Sequence, residues 1–132
     1  MIMEPVSRLA ALLLLVLVVT ACGGSGTADG ELDGEELFGQ SVLAGNAGCI
    51  TCHSLQPDRV LVGPSMAGIA TRAASREPGV SAEDYIRKSI LSPAAFVVDG
   101  FAEGQMLDVW EDSLSPGQVD ALVDYLLTLE NG

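Results

Sequence analysis

Apolar positions gather in four places along the chain, and each predicts an element. A continuous run from Leu9 to Val19 stands behind Arg8; it is about half the ~20 residues that a bilayer-spanning helix needs, and small residues follow it, as in a cleavable export signal. After Asp33, which can cap a helix opening on Glu35 and Glu36, the residues Leu37, Phe38, Val42 and Leu43 form a stripe that predicts a first helix ending near Gly45. Ser81 to Asp84 is a variant of the capping-box pattern and opens a middle helix through Tyr85, Ile86 and Ile90, which Pro93 stops. The last pattern is the clearest: Ser115 as cap, Pro116 at the first helical position, Gln118 completing a capping box, then Val119, Leu122, Val123, Leu126 and Leu127 along one face. Nothing between these stretches keeps up a period of two, so the pattern predicts an all-α domain with long loops.

These elements divide the chain into a signal peptide over 1–21, a tether over 22–33 and one domain over 34–132. Val19-Thr20-Ala21-Cys22 resembles a bacterial lipoprotein signal, in which the peptide is cut before the cysteine and lipid is added to it. Cys22 is then an anchor, and the expected location is the outer face of a membrane or the periplasm. An ordinary secretory signal with an incidental cysteine is the alternative, because Glu4 and a single arginine make a weak positive start. On either reading the domain leaves the cytoplasm. From Gly23 to Asp33 the composition turns to Gly, Ser, Thr, Ala and acids, with too little apolar surface to offset the entropy of ordering. As a flexible coil this segment would span roughly 18 Å. About one hundred residues remain, enough for a single small domain.

The densest chemistry lies in Cys49-Ile50-Thr51-Cys52-His53. Two thiols two residues apart, with a histidine directly after the second, suit covalent attachment of haem: the thiols add across the vinyl groups and the histidine reaches the iron. A dithiol redox motif would want a strand-helix context, and a zinc site would want a second Cys/His pair. His53 is the only histidine, and the remaining cysteine is Cys22. The 48% hydrophobic fraction is inflated by the signal, and aromatics are only 5%, so the polypeptide alone offers a modest core that a buried macrocycle would fill.

The chain from about Asp33 to Leu129 resembles the small single-haem c-type cytochromes of class I, with three anchors in the same order: GCITCH after an amino-terminal helix, GPSMAGIATR, and GFAEGQM before a carboxy-terminal helix. The resemblance implies a cytochrome c-like fold, three to four helices around one covalent haem c. It implies thioether sites at Cys49 and Cys52, His53 as proximal ligand, and the carbonyl of Pro64 as acceptor for the other ring nitrogen. It places Arg72 against a haem propionate, with a solvated surface arginine as the plain alternative. It makes Met106 the distal ligand and Met66 core, although Leu107 stands where the family commonly has proline. Trp110 could pack on the haem edge or reach a propionate, with ordinary core packing as the safer reading. Phe38 and Tyr125 are expected to meet where the terminal helices cross.

An iron held by histidine and methionine has no vacant position, which implies one-electron transfer with another protein's redox centre and not catalysis. Removal of Arg8 and Glu4 leaves the net charge of −12 unchanged, which excludes nucleic acid as a natural target and predicts a partner with a basic or neutral docking face. A terminal oxidase or a quinol–cytochrome c reductase is of the expected kind. Anionic headgroups would repel such a domain, so a lipid on Cys22 is the expected membrane attachment. Plain solubility is the competing explanation of the charge. Two other functions stand beside the shuttle: a haem subunit fixed in a respiratory complex, and a small haem peroxidase or gas-binding protein with an open distal site. The latter lacks a second histidine for acid–base work.

Overall fold

The computed structural model describes residues 33–132. The expected signal, the anchor Cys22 and the tether as far as residue 32 lie outside the described residues. The elements in order are α1 (Gly34–Gly39), β1 (Val42–Leu43), β2 (Asn46–Ala47), α2 (Cys49–Cys52), α3 (Ile69–Ala73), α4 (Ala82–Leu91), α5 (Trp110–Ser113) and α6 (Pro116–Leu127), with a 3-10 turn over Pro93–Ala95. The domain is all-α apart from one short hairpin.

Three helices begin where the cap chemistry places them. The Asp33 carboxylate accepts from the Glu36 N–H at 2.9 Å, and the Ser81 hydroxyl accepts from the Asp84 N–H at 3.0 Å. At α6 the capping box is complete: Ser115 Oγ accepts from the Gln118 N–H, and the Gln118 side chain accepts from the Ser115 N–H. Each cap satisfies a backbone donor that the helix cannot, and is worth about 1 kcal/mol.

The first helix is shorter than its apolar stripe suggested. It stops at Gly39, Gln40 is extended, and Val42 and Leu43 pair antiparallel with Ala47 and Asn46. Ala44 and Gly45 both have positive φ, 48° and 79°, as a two-residue hairpin turn of the primed kind demands. Leu43 is buried while Val42 is exposed, the alternation of a strand. A glycine followed by two polar residues ends the helix cheaply, and the tight turn then gives the backbone groups of 42–47 partners in each other.

The core sits where α1 crosses α6. Gly34 is required there, because a Cβ at this position would lie 2.0 Å from the Ala121 carbonyl oxygen and 2.6 Å from Tyr125 Cβ. One turn on, the Phe38 and Tyr125 rings meet with centroids 5.8 Å apart at 51°, as the family resemblance implied. Leu37, Leu122 and Val123 are fully buried beside them. The α4 helix, whose buried residues are Tyr85, Ile86 and Ile90, packs on α6, and the pair is bridged at the surface by Arg87, which donates to Asp120 at 2.6 Å and to Glu83 at 3.3 Å. Each of the six helices contributes a side chain to the wall of one large apolar cavity.

Candidate functional site

The α2 helix is a single turn, and its i, i+3 spacing puts both thiols on the side that lines the cavity. Thr51 Oγ donates to the Gly48 carbonyl at 2.6 Å and tightens that turn. Neither cysteine is in a disulfide, and before any attachment burial pushes the Cys49 thiol up to about 11. His53 leaves the helix in extended conformation with its N–H on the Cys49 carbonyl, which turns the imidazole into the same cavity.

The imidazole is held in one state. Its Nδ1 lies 2.9 Å from the Pro64 carbonyl oxygen; a carbonyl can only accept, so Nδ1 carries the hydrogen and Nε2 keeps a free lone pair. Burial holds the ring's pKa below its ordinary value, against the smaller opposing effect of the Pro64 bond. Gly63 lies against the ring: a Cβ there would come within 2.5 Å of Cε1 and 2.8 Å of Nδ1. The Gly63 N–H donates to the Cys52 carbonyl at 2.8 Å, and the backbones of His53 and Val60 form an antiparallel bridge. Motif and loop therefore form one hydrogen-bonded unit.

Beyond Pro64 the loop is tied to the residues after His53. The Met66 N–H donates to the Ser54 carbonyl at 2.7 Å, and the Ser65 hydroxyl donates to the Gln56 carbonyl at 2.6 Å. Arg72, whose side chain also lines the cavity, donates from Nη2 to the Ser65 carbonyl at 2.6 Å and from Nη1 to the Ala67 carbonyl. It clamps the loop from α3, a role the sequence did not suggest. Met66 is buried in the core, as expected.

The remaining wall comes from the segment between α4 and α6. Tyr85 and Phe96 meet edge to face at 5.5 Å, and Phe96, Val97, Val98 and Phe101 line the cavity with Met106 and Trp110. Trp110 is buried at the start of α5 and lines the cavity. Met106 is half-buried on the loop that precedes α5. The Phe96–Phe101 wall was missed in the sequence; its signal was the short run Phe96-Val97-Val98 with Phe101 beyond it, too short and irregular for a helix stripe.

Two thiols and a neutral imidazole with a free Nε2 around one apolar cavity are the groups that a covalently attached haem requires. A family model described as cytochrome c matches residues 32–130. No curated protein matches the chain. The chain belongs to the cytochrome c family. Covalently bound haem c is accordingly its cofactor, with Cys49 and Cys52 at the spacing that attachment needs, and haem-based electron transfer is its general activity.

Proposed function

We propose that this protein is a one-electron carrier in which His53 and Met106 hold the haem iron from opposite faces, and that its substrate is the redox centre of another protein. The observation that carries this reading is that Met106 lines the same cavity as Cys49, Cys52 and His53. Met66, the other methionine among the described residues, lines the cavity as well; it is buried, and its backbone N–H donates to the carbonyl of Ser54, next to His53. Met106 is assigned as the second ligand because it sits on the loop before α5, where the family resemblance puts that ligand.

The haem supplies the one-electron couple. The Pro64 carbonyl keeps the proton on His53 Nδ1 and so presents Nε2 as ligand. Phe96, Phe101, Ile86 and Leu122 exclude water, which favours keeping the same two ligands in both oxidation states. Arg72 uses two of its five N–H groups on carbonyls, which leaves donors for a haem propionate. Catalysis at an open iron would need an acid–base group, and His53, the sole histidine, is already committed.

Cys22 is the proposed lipid anchor, holding the domain at the extracytoplasmic face of a membrane, where a terminal oxidase or quinol–cytochrome c reductase would meet it. The test is a mass and optical measurement on protein made with haem-maturation machinery. One covalent haem and a methionine–iron charge-transfer band in the ferric spectrum are expected. Rapid carbon monoxide binding to the reduced protein, with no such band, would replace the carrier with a haem enzyme or gas-binding protein.

A further inference from the structure

Five basic side chains lie among the described residues, and four of them have protein partners. Arg59 donates to Gln56, Arg72 to the carbonyls of Ser65 and Ala67, Arg87 to Glu83 and Asp120, and Lys88 to Glu77. The guanidinium of Arg76 makes no hydrogen bond or ion pair with any described residue, yet the residue is half-buried. A cation with five donors that is partly removed from water and has no acceptor carries a free-energy cost, which a bound anion would offset.

The place of Arg76 in the fold says which anion. The α3 helix ends at Ala73, and the chain continues in tight turns, with the Ser75 N–H on the Arg72 carbonyl at 3.1 Å and the Arg76 N–H on the Ala73 carbonyl at 3.3 Å. These turns keep Arg76 on the same side as Arg72. Both line the haem cavity, and both line a smaller cleft that shares Arg72, Arg76 and Phe96 with it and adds Ser75 and Asp99. Asp99 is exposed and forms no ion pair with Arg76. The other charged groups on the cavity wall, Glu103 and Asp108, are acids on either side of Met106 and would repel a carboxylate; the remaining titratable groups there are Tyr85, His53 and the two cysteines.

We propose that Arg76 pairs with a haem propionate, so that the two carboxylates of the haem are met by two arginines and not by Arg72 alone. The contact rests on the covalent haem, and its consequence for the reduction potential rests on the carrier reading above. Arg72 already uses two N–H groups on carbonyls, whereas Arg76 has its whole fork to offer. The cleft, with its two arginines, Ser75 and Asp99, lets the carboxylates stay hydrated while the macrocycle fills the apolar cavity. A cation held at a propionate keeps that carboxyl ionised to lower pH, and it offsets the negative charge that favours ferric iron over ferrous. Arg76 thereby raises the reduction potential.

The experiment uses the holoprotein with carbon-13 in the haem carboxyl groups. An NMR titration reads the propionate pKa values, and a dye-mediated redox titration reads the potential. Arg76→Gln should raise one propionate pKa and lower the potential, with the covalent haem mass unchanged. Arg76→Lys, which keeps the charge, should restore most of both shifts. Arg87 does not line the cavity, so Arg87→Gln removes a cation and should leave the propionates as they are. Three results would overturn the proposal: propionates unmoved in Arg76→Gln; an equal movement in Arg87→Gln, which would make the effect one of net charge; or shifts that vanish when Arg76→Gln is made in an Asp99→Asn background, which would make Asp99 the partner. Rapid carbon monoxide binding by the unsubstituted protein would count against the carrier reading while leaving the propionate titration readable, so the two failures are distinguishable.

Discussion

Nδ1 of His53 lies 2.9 Å from the carbonyl oxygen of Pro64, eleven residues further along the chain, and Gly63 makes that approach possible by having no side chain beside the ring. The bond does two jobs. It selects the tautomer that leaves Nε2 with a free lone pair, and it fixes the plane in which that nitrogen points.

Gly63→Ala should therefore damage the proximal side while leaving both thioether positions intact. The added carbon would sit 2.5 Å from Cε1, and overpacking of this kind costs about 1–3 kcal/mol. Denaturant unfolding should report that loss. A proximal-ligand signal in the ferric NMR spectrum should shift, whereas the covalent haem mass should be retained. An unchanged NMR signal would mean that the ring does not rest on Gly63 in the holoprotein.

The two methionines should separate by different measurements. Met106→Ala is expected to keep the haem, lose the methionine–iron band, lower the reduction potential and open the iron to added ligands. Met66→Ala should keep the band and lose about 2–5 kcal/mol of stability, the cost of emptying a buried methionine site. Reversal of the two outcomes would move the distal ligand to Met66.

Gly34→Ala tests the helix crossing without touching the haem site. Ala121 and Tyr125 occupy the place of the new carbon at 2.0 and 2.6 Å, and Ala121 presents backbone, which cannot swing aside. The α1 and α6 helices should separate, with a loss of about 1–3 kcal/mol by thermal unfolding and an unaltered absorption spectrum in the protein that remains folded.

Much of this was legible in the residue order. The caps at Asp33, Ser81 and Ser115 and the stripes behind α4 and α6 were readable because a cap and a 3.6-residue period are local signals. The Phe38–Tyr125 contact was reached only through resemblance, since no local rule joins residues so far apart. The hairpin was read as helix because Val42 and Leu43 continue the stripe of Leu37 and Phe38, and only the positive φ at Ala44 and Gly45 reveals a turn. The Arg72 clamp and the contact of Gly63 with His53 depend on how a long loop folds back, which spacing does not encode.

Tyr125 makes the α1–α6 crossing sensitive to alkali. Burial, with a smaller contribution from the charge of Glu35, raises its pKa above the ordinary value. A phenol whose folded pKa is raised contributes stability that is complete below the unfolded value of about 10 and is lost as pH rises through the folded one. Unfolding midpoints should fall as pH climbs past about 10. Tyr125→Phe should remove part of that fall while matching the parent protein near neutrality. Parallel curves for the two proteins across this range would show that Tyr125 titrates as freely folded as unfolded.

Arg72 joins the loop that orients His53 to the helix behind it, and a charge-conserving substitution separates its two roles. Its guanidinium reaches the carbonyls of Ser65 and Ala67 together, on either side of Met66 and directly after Pro64. A lysine keeps the charge but cannot span both acceptors with a planar fork. Arg72→Lys should lose one of two charge-assisted bonds, about 1.5–3 kcal/mol of stability, and should loosen the Pro64 carbonyl, seen as a broadened proximal-histidine resonance. The charge proposed to meet a haem propionate persists in this variant, so the pH dependence of the reduction potential should stay close to that of the parent. Arg72→Met removes both contributions and should change that dependence as well as the stability. If Arg72→Met leaves the pH dependence unmoved, Arg72 serves the loop alone, and another group meets the propionates.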